Sequence, residues 1–342
     1  MSGLISWKAQ ADVQAALVIF VIALAITAVS IPWVRKAAVS LGFVDAPARR
    51  KLHSTPIPLM GGVAIFAGAM IAILFFAGQL ARSVTGVGLA LSLVAVVGLI
   101  DDRRALPAWV KLGSQFLAFL ILAYFGVRVQ LPIPEFLNYA LTFVWLAGIS
   151  NAINFLDNMD GLSAGVSAVA ASFMLLLGLQ NDQFLVSSLA AAILGSCLGF
   201  LRYNFSPAQI FMGDAGSLFL GFSLALLGIQ LRFPANVSFV TWMVPVFILG
   251  LPIFDTTLVV VSRLRRGVSP NTAGKDHVSH RLVRLGYSQR EAVLVLYLVS
   301  GIFGMIALFV TQATILEGYL MAGVAAVVAL FALVRLERIP TA

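Results

Sequence analysis

The chain has 342 residues, 61% hydrophobic and 11% charged, with a mean hydropathy of +1.01 and a formal net charge of +8. Soluble domains run at about 45–50% apolar and about 25% charged, so a water-soluble globule is excluded and an integral membrane protein is expected. The basic balance does not indicate nucleic acid, because the charge is spread over loops between apolar segments, as membrane insertion requires.

About 20 apolar residues cross a bilayer as a helix. Eleven such segments follow one another, near 11–34, 60–80, 84–100, 108–127, 136–153, 161–180, 183–201, 216–232, 236–262, 291–312 and 315–335. The first is too long for a removed signal and lacks a small-residue cleavage site, so it reads as a retained helix. Apart from Lys8, Arg82, Arg128 and Arg232, the 22 Lys and Arg fall after odd-numbered spans. That bias sets the N-terminus outside and the C-terminus in the cytoplasm, and it favours an odd span count. The expected fold is all-α: one polytopic transmembrane domain over 1–342. Its cytoplasmic loops lie near 35–60, 101–108, 154–161, 202–216 and 263–290. The single Cys197 lies within an apolar span, which leaves no disulfide framework.

Ionisable residues beside membrane spans are costly and so point to function. The loop at 35–60 offers Asp45, Arg49, Arg50, Lys51 and His53 before Gly61-Gly62 opens the second span. The third span ends in Asp101-Asp102. Arg103-Arg104 could neutralise the pair in a solvated turn, but a helix C-terminus prefers cations, and function is favoured. Lys111, at the start of span four, reads equally as a snorkelling anchor or a functional cation.

Residues 151–165 read NAINFLDNMDGLSAG. Asn154 and Asp157 stand three apart and share a face if span five continues as a helix. Carboxylate and amide oxygens suit a hard divalent cation. Capping and turn formation would explain one or two of the Asn and Asp, not all five. In FMGDAGS, 211–217, Asp214 could cap span eight and still bind a metal, while Phe211 is either membrane packing or a stacking face. Asp255 lies deeper, inside span nine. Loop 263–290 carries His277 and His280 beside Lys275, Arg281 and Arg284. A His-x-x-His pair could be half a zinc site, but with no Cys and seven basic neighbours the loop suits anions, phosphates above all. Acids that can hold a metal, faced by two basic loops, point to metal-dependent chemistry on a phosphorylated substrate. A transporter would place its charges near the midplane in matching repeats, and a scaffold has no use for acids at span ends.

Six segments in this order, RKLHSTPIPLMGG, GLIDDRRALPAWVKLGSQ, NAINFLDNMDGLSAG, FMGDAGSLFLG, PIFDTTLVVVSRLRRG and GKDHVSHRL, resemble the polyprenyl-phosphate N-acetylhexosamine-1-phosphate transferases. That family includes the bacterial undecaprenyl-phosphate GlcNAc-1-phosphate transferases and the MurNAc-pentapeptide translocase. The resemblance implies transfer of sugar 1-phosphate from a UDP-N-acetylhexosamine to undecaprenyl phosphate, with release of UMP. The product is the lipid-linked sugar that starts cell-envelope polysaccharide synthesis. It also implies Mg²⁺ or Mn²⁺, a site facing the cytoplasm of a bacterial plasma membrane, and room for a homodimer. By motif position Asp214 corresponds to the principal metal ligand, with Asn154 second and Asp157 assisting. Asp160 would hydrogen-bond uracil and Phe211 stack on it. Asp101 resembles the candidate base for the lipid phosphate, supported by Asp102, and Lys111 matches a lysine of the phosphate region. His277, His280 and Arg281 would bind the diphosphate and sugar, joined by Lys51 and His53. DHVSHRL lacks the consecutive histidines of the peptidoglycan translocases and departs from the GlcNAc-type pattern by one histidine. The GlcNAc-type branch is therefore favoured, with UDP-MurNAc-pentapeptide as the alternative donor.

Overall fold

A computed structural model describes residues 7–45, 56–74, 81–270, 272 and 274–339. Lys51 and His53, two expected substrate contacts, lie outside the described residues. The remaining sequence forms helices wherever an apolar segment was expected. In order they are α1 (Trp7–Leu41), α2 (Gly61–Leu74), α3 (Ala81–Arg103), α4 (Ala108–Tyr124), α5 (Glu135–Leu156), α6 (Leu162–Gln180), α7 (Phe184–Asn204) and α8 (Gly213–Gln230). Then come α9 (Ser238–Thr241), α10 (Met243–Ile248), α11 (Gly250–Arg265), α12 (Val278–Arg284), α13 (Gln289–Val310) and α14 (Ile315–Glu337).

Among the described residues, eight helices are long and apolar enough to span a membrane. Ser238–Ile248 and Gly250–Arg265, bent by 71°, make a ninth if taken as one broken span, and α2 and α4 are shorter apolar helices. The chain is thus an all-α, multi-pass membrane protein. The continuous ninth helix expected from the sequence is broken instead. One addition to the all-α expectation is a two-residue antiparallel ribbon, β1 (Val44–Asp45) with β2 (Ile57–Pro58).

Helix α8 is the centre of the bundle. The buried share of its apolar window is 83%, against 0% for α14, whose surface is left for lipid. Burying a helix on all sides without a hydrophobic drive between helices requires close backbone contact, which small residues allow. A Cβ added at Gly62 of α2 would sit 2.1 Å from the Gly216 nitrogen of α8, and one at Gly98 of α3 would sit 2.5 Å from the Asp214 carbonyl oxygen. The loop before α8 is held in the same way. The Gly61 and Gly62 N–H groups, unpaired donors of a helix N-terminus, donate to the carbonyls of Phe211 and Met212 at 2.9 and 2.8 Å. Phe211 N–H in turn donates to Pro58 O at 2.8 Å. The start of α8 is therefore fixed by α2 and α3 together.

Gly62→Val should lower the melting temperature of the detergent-purified protein sharply, by an overpacking cost of about 3 kcal/mol or more. Gly113→Ala on α4, where an added Cβ meets nothing within 4 Å, should leave it unchanged or slightly higher. Equal melting of the two variants would refute the close packing of α2 on α8.

Candidate active site

The ends of α3, α4, α5 and α8 meet, and their polar side chains bond to one another. Asp101, near the end of α3, accepts from Lys111 Nζ at 3.1 Å and from Leu106 N–H at 2.6 Å. The same Lys111 Nζ, on the first turn of α4, donates to Asp214 Oδ2 at 2.9 Å. Asp214 Oδ1 accepts from Asn154 Nδ2 at 2.9 Å, and that amide also donates to Ser217 Oγ at 2.9 Å. Lys111 thus bridges two carboxylates, and Asn154 steadies the second.

Asp102 has a role its sequence context hides. It sits at the C-terminal end of α3, where the helix dipole disfavours an acid. Its carboxylate nevertheless lies at the N-terminus of α8, accepting from the N–H groups of Asp214 at 2.6 Å and Ala215 at 3.2 Å. The N-cap residue of α8 is Met212, which supplies no side-chain cap; Asp102 caps the helix from its neighbour. Asp214 is therefore not the cap that the sequence allowed. Its carboxylate is left for Lys111 and Asn154. Gly213 has φ of 73°, and a Cβ there would come 2.5 Å from Asp102 Oδ2, so the glycine admits both the turn and the capping carboxylate.

The corner between α5 and α6 is bonded to α7, α8, the 205–212 segment, α12 and α13. Asn154 is on the last turn of α5 and Asp157 is its C-cap. Burial pushes the Asp157 carboxyl up to about 8, and the charges of Asp214, Asp102 and Asp160 add to the effect. Asp160 Oδ2 accepts from Ala208 N–H at 2.9 Å, in the 205–212 segment that also carries Phe211. The two residues expected at the uracil are thus tied to one segment. Gly161, with φ of 79°, turns the chain into α6. Asn204 holds that turn by accepting from Gly161 N–H and donating to Ile210 O, both at 2.9 Å, and Tyr297 OH donates to Gly161 O at 2.6 Å. Of the residues left without a role, Asn151 donates to Gln115 Oε1 at 3.0 Å within the bundle. Asn158 accepts from Ser279 Oγ at 2.6 Å, joining the corner to α12.

Helix α12 carries the histidines. His277, its N-cap, points Nδ1 at Asp255 Oδ2, 2.7 Å away. His280 is half-buried. Burial, with His277 and Lys275 nearby, pushes its imidazole down to about 4, so it is uncharged at neutral pH. Arg281 is fully buried. It donates to Asp276 O at 2.8 Å, Ser262 Oγ at 3.0 Å and the Leu336 and Ile339 carbonyls. In this arrangement its guanidinium braces the loop against α11 and the chain after α14. Asp276 sits between Arg263 and Arg266, each 2.9 Å from Oδ2. Burial opposes its charge, yet those two partners hold its carboxyl below the usual range. Asn204, Ser217 and Asp276 were missed by sequence reasoning; only the polarity of Asn204, at the end of an apolar segment, offered a signal.

The donor set can be tested against a divalent metal. Among the described residues no three Asp, Glu, His or Cys converge on a single point. Mg²⁺ does not need such a cage: it is held by one or two carboxylates, waters and substrate phosphates. Asp214, Asp157 and the Asn154 amide supply hard oxygens, and the carboxylates around Lys111 outnumber it. The residues fit.

The sequence model of glycosyl transferase family 4 matches residues 84–232, an interval that holds Asp101, Asp102, Lys111, Asn154, Asp157, Asp160, Phe211 and Asp214. The chain is 36% identical to the probable undecaprenyl-phosphate N-acetylglucosaminyl 1-phosphate transferase of Bacillus subtilis, over 87% of this chain and 86% of that one. It is 33% identical to the decaprenyl-phosphate N-acetylglucosaminephosphotransferase of Mycolicibacterium smegmatis, over 79% and 76%. It is 30% identical to the phospho-N-acetylmuramoyl-pentapeptide-transferase of Lactobacillus delbrueckii, over 86% and 99%.

Asp157 also yields a stability prediction. Its folded value near 8 lies above the ordinary 3.8, so the folded state holds the proton more tightly, and stability falls as pH rises between the two values. Metal-free Asp157→Asn should melt higher than the parent at pH 8, and the gap should close near pH 4. A gap independent of pH would show that Asp157 is not protonated by its surroundings.

Proposed function

The chain belongs to glycosyl transferase family 4, and on that premise we propose that it transfers N-acetylglucosamine 1-phosphate from UDP-GlcNAc to undecaprenyl phosphate. The single observation that carries this reading is the Asp101–Lys111–Asp214 bridge, 3.1 and 2.9 Å long, at the meeting of four helices. It joins a carboxylate suited to the acceptor side with one suited to the donor side. The relatives just named are transferases of N-acetylglucosamine or N-acetylmuramoyl-pentapeptide phosphates, and of these three the two N-acetylglucosamine enzymes are the more identical, at 36% and 33% against 30%.

Chemically, an acceptor phosphate oxygen attacks the β-phosphorus of the nucleotide sugar. The bond from that phosphorus to the bridging oxygen breaks, and UMP leaves with the electron pair. Phosphate monoesters lose their second proton near pH 6, so the nucleophile needs little help from a base, and Asp101 serves mainly to position it with Lys111. Two anionic substrates repel, and cationic side chains must offset that. Lys111 does so at the reacting phosphates. Asp160 and Phe211 take the uracil, by hydrogen bond and stacking. His277 and His280 face the diphosphate and sugar. A Mg²⁺ or Mn²⁺ held by Asp214, Asn154 and Asp157 would supply charge neutralisation at the diphosphate.

Counting the broken helix and the two short apolar helices as spans gives eleven. With that count, the Lys and Arg bias supports a site on the cytoplasmic side of a bacterial plasma membrane. A thiol introduced by Ser288→Cys, before α13, should react with an impermeant maleimide in inside-out vesicles and not in intact cells. The reverse pattern would overturn the orientation.

The function is tested with purified protein, undecaprenyl phosphate, Mg²⁺ and a panel of UDP-sugars. UMP should appear with UDP-GlcNAc and only when the lipid is present. Silence with every UDP-N-acetylhexosamine would sink the proposal. Asp214→Asn should keep the fold and lose more than about 100-fold of turnover; near-normal activity would remove it from the metal site.

A further inference from the structure

Asp255 has no part in the transfer chemistry described so far, yet it is fully buried on a membrane-buried helix. A carboxylate so placed is costly unless every oxygen is bonded. Both are. Oδ2 lies 2.7 Å from His277 Nδ1 and Oδ1 accepts from Val278 N–H at 2.8 Å. Two further polar residues on α11, about two turns on and near the same face, continue the grip. Ser262 accepts from Arg281, and Arg263 pairs with Asp276, the residue before His277. From the opposite side Ser279 is bonded to Asn158 of the α5–α6 corner. The Phe155 ring stands edge to face with the imidazole, 6.4 Å between centroids. His277 is thus located from three directions, and among the described residues Asp255 is the only neighbour hydrogen-bonded to the ring itself.

We propose that Asp255 is a positioning residue for sugar-phosphate transfer, holding the proton of His277 on Nδ1 and aiming Nε2 at the nucleotide-sugar diphosphate. This rests on the donor substrate proposed above. The two ring nitrogens of a histidine are distinguished by the hydrogen bond that one of them makes. A carboxylate can only accept, so Nδ1 must be the donor, and Nε2 is the atom left to face a ligand. When the ring carries both protons, Nε2–H donates to a phosphate oxygen with the extra strength of a charged hydrogen bond. The bend before α11 suits this role, because it lets a polar face start inside the bundle and end at the basic loop.

The test compares Asp255→Asn, His277→Ala and the double variant, with UMP release at varied UDP-GlcNAc and varied lipid. Asp255→Asn keeps the size and one acceptor for Val278 N–H. It should raise KM for UDP-GlcNAc about tenfold, leave KM for undecaprenyl phosphate unchanged, and add nothing in the His277→Ala background. Additive losses, or equal effects on both substrates, would show that Asp255 only braces the loop and would overturn the proposal. Should Asp255→Asn fail to fold, ¹⁵N-histidine spectra of the parent protein decide the matter. The chain has 3 histidines, so the His277 signals are assigned by their loss in His277→Ala. A protonated, hydrogen-bonded Nδ1 supports the proposal and an unprotonated Nδ1 overturns it. If the parent releases no UMP from UDP-GlcNAc, the substrate reading fails; the nitrogen spectra still report on the Asp255–His277 pair.

Discussion

Like-charge crowding around Asp214 is the constraint that organises this protein. Asp101, Asp102, Asp157, Asp160 and Asp214 come from three elements, and among the described residues the one cation bonded to them is Lys111. Two unit charges 4 Å apart interact by about 4 kcal/mol at the effective dielectric of a protein surface. A fold that gathers such groups has to relieve that repulsion group by group. Asp102 is relieved by the N–H groups that open α8, Asp101 by Lys111 and Leu106 N–H, and Asp214 by Lys111 and Asn154. Asp157 has no such side-chain partner among the described residues and holds its proton to about pH 8.

The bundle supplies the geometry that makes the crowding tolerable. Asp214 can be held only if the first turn of α8 is fixed, because its own N–H is bonded to Asp102 and its carbonyl lies against Gly98. Small residues on α2 and α3 let α8 be buried on several sides at once, and the 58–62 segment pairs with 211–212. Packing and site are therefore the same contacts seen from two directions. The α5–α6 corner acts as the hub: Asn154 reaches Asp214, Asp160 reaches the Phe211 segment, and Asn158 reaches α12.

Much of this was legible in the sequence, for physical reasons. Helices follow from apolar length, since a membrane segment must satisfy its own backbone, and every expected segment became a helix or, for the ninth, a broken one. Acids at span ends were recognisable because burial makes them costly. What could not be read were roles set by partners distant in the chain. Asp102 caps a helix whose first turn lies 112 residues away, and Asn158 meets Ser279 at a separation of 121. Local context pointed the other way at Asp102, which stands at the wrong end of its own helix. The same limit explains Arg281: in the sequence it is one more cation in a basic loop, and only the positions of Ser262 and the Leu336 and Ile339 carbonyls show its guanidinium enclosed.

Arg281 also changes how the basic loop should be understood. Counted as charge, 263–290 is a generic anion trap. Counted by contact, Arg263 and Arg266 neutralise Asp276, and Arg281 braces α12 against α11 and the residues after α14. Of the two histidines presented on α12, His280 is neutral at pH 7 and His277 is bonded to a carboxylate. The loop thus offers directional hydrogen-bonding groups more than bulk positive charge. That distinction matters for a transferase with anionic substrates and anionic products. Charge alone would hold both equally, and uniform binding does not speed the chemical step. Oriented donors can favour the one arrangement in which the diphosphate is aligned, and they release the product when that alignment is gone.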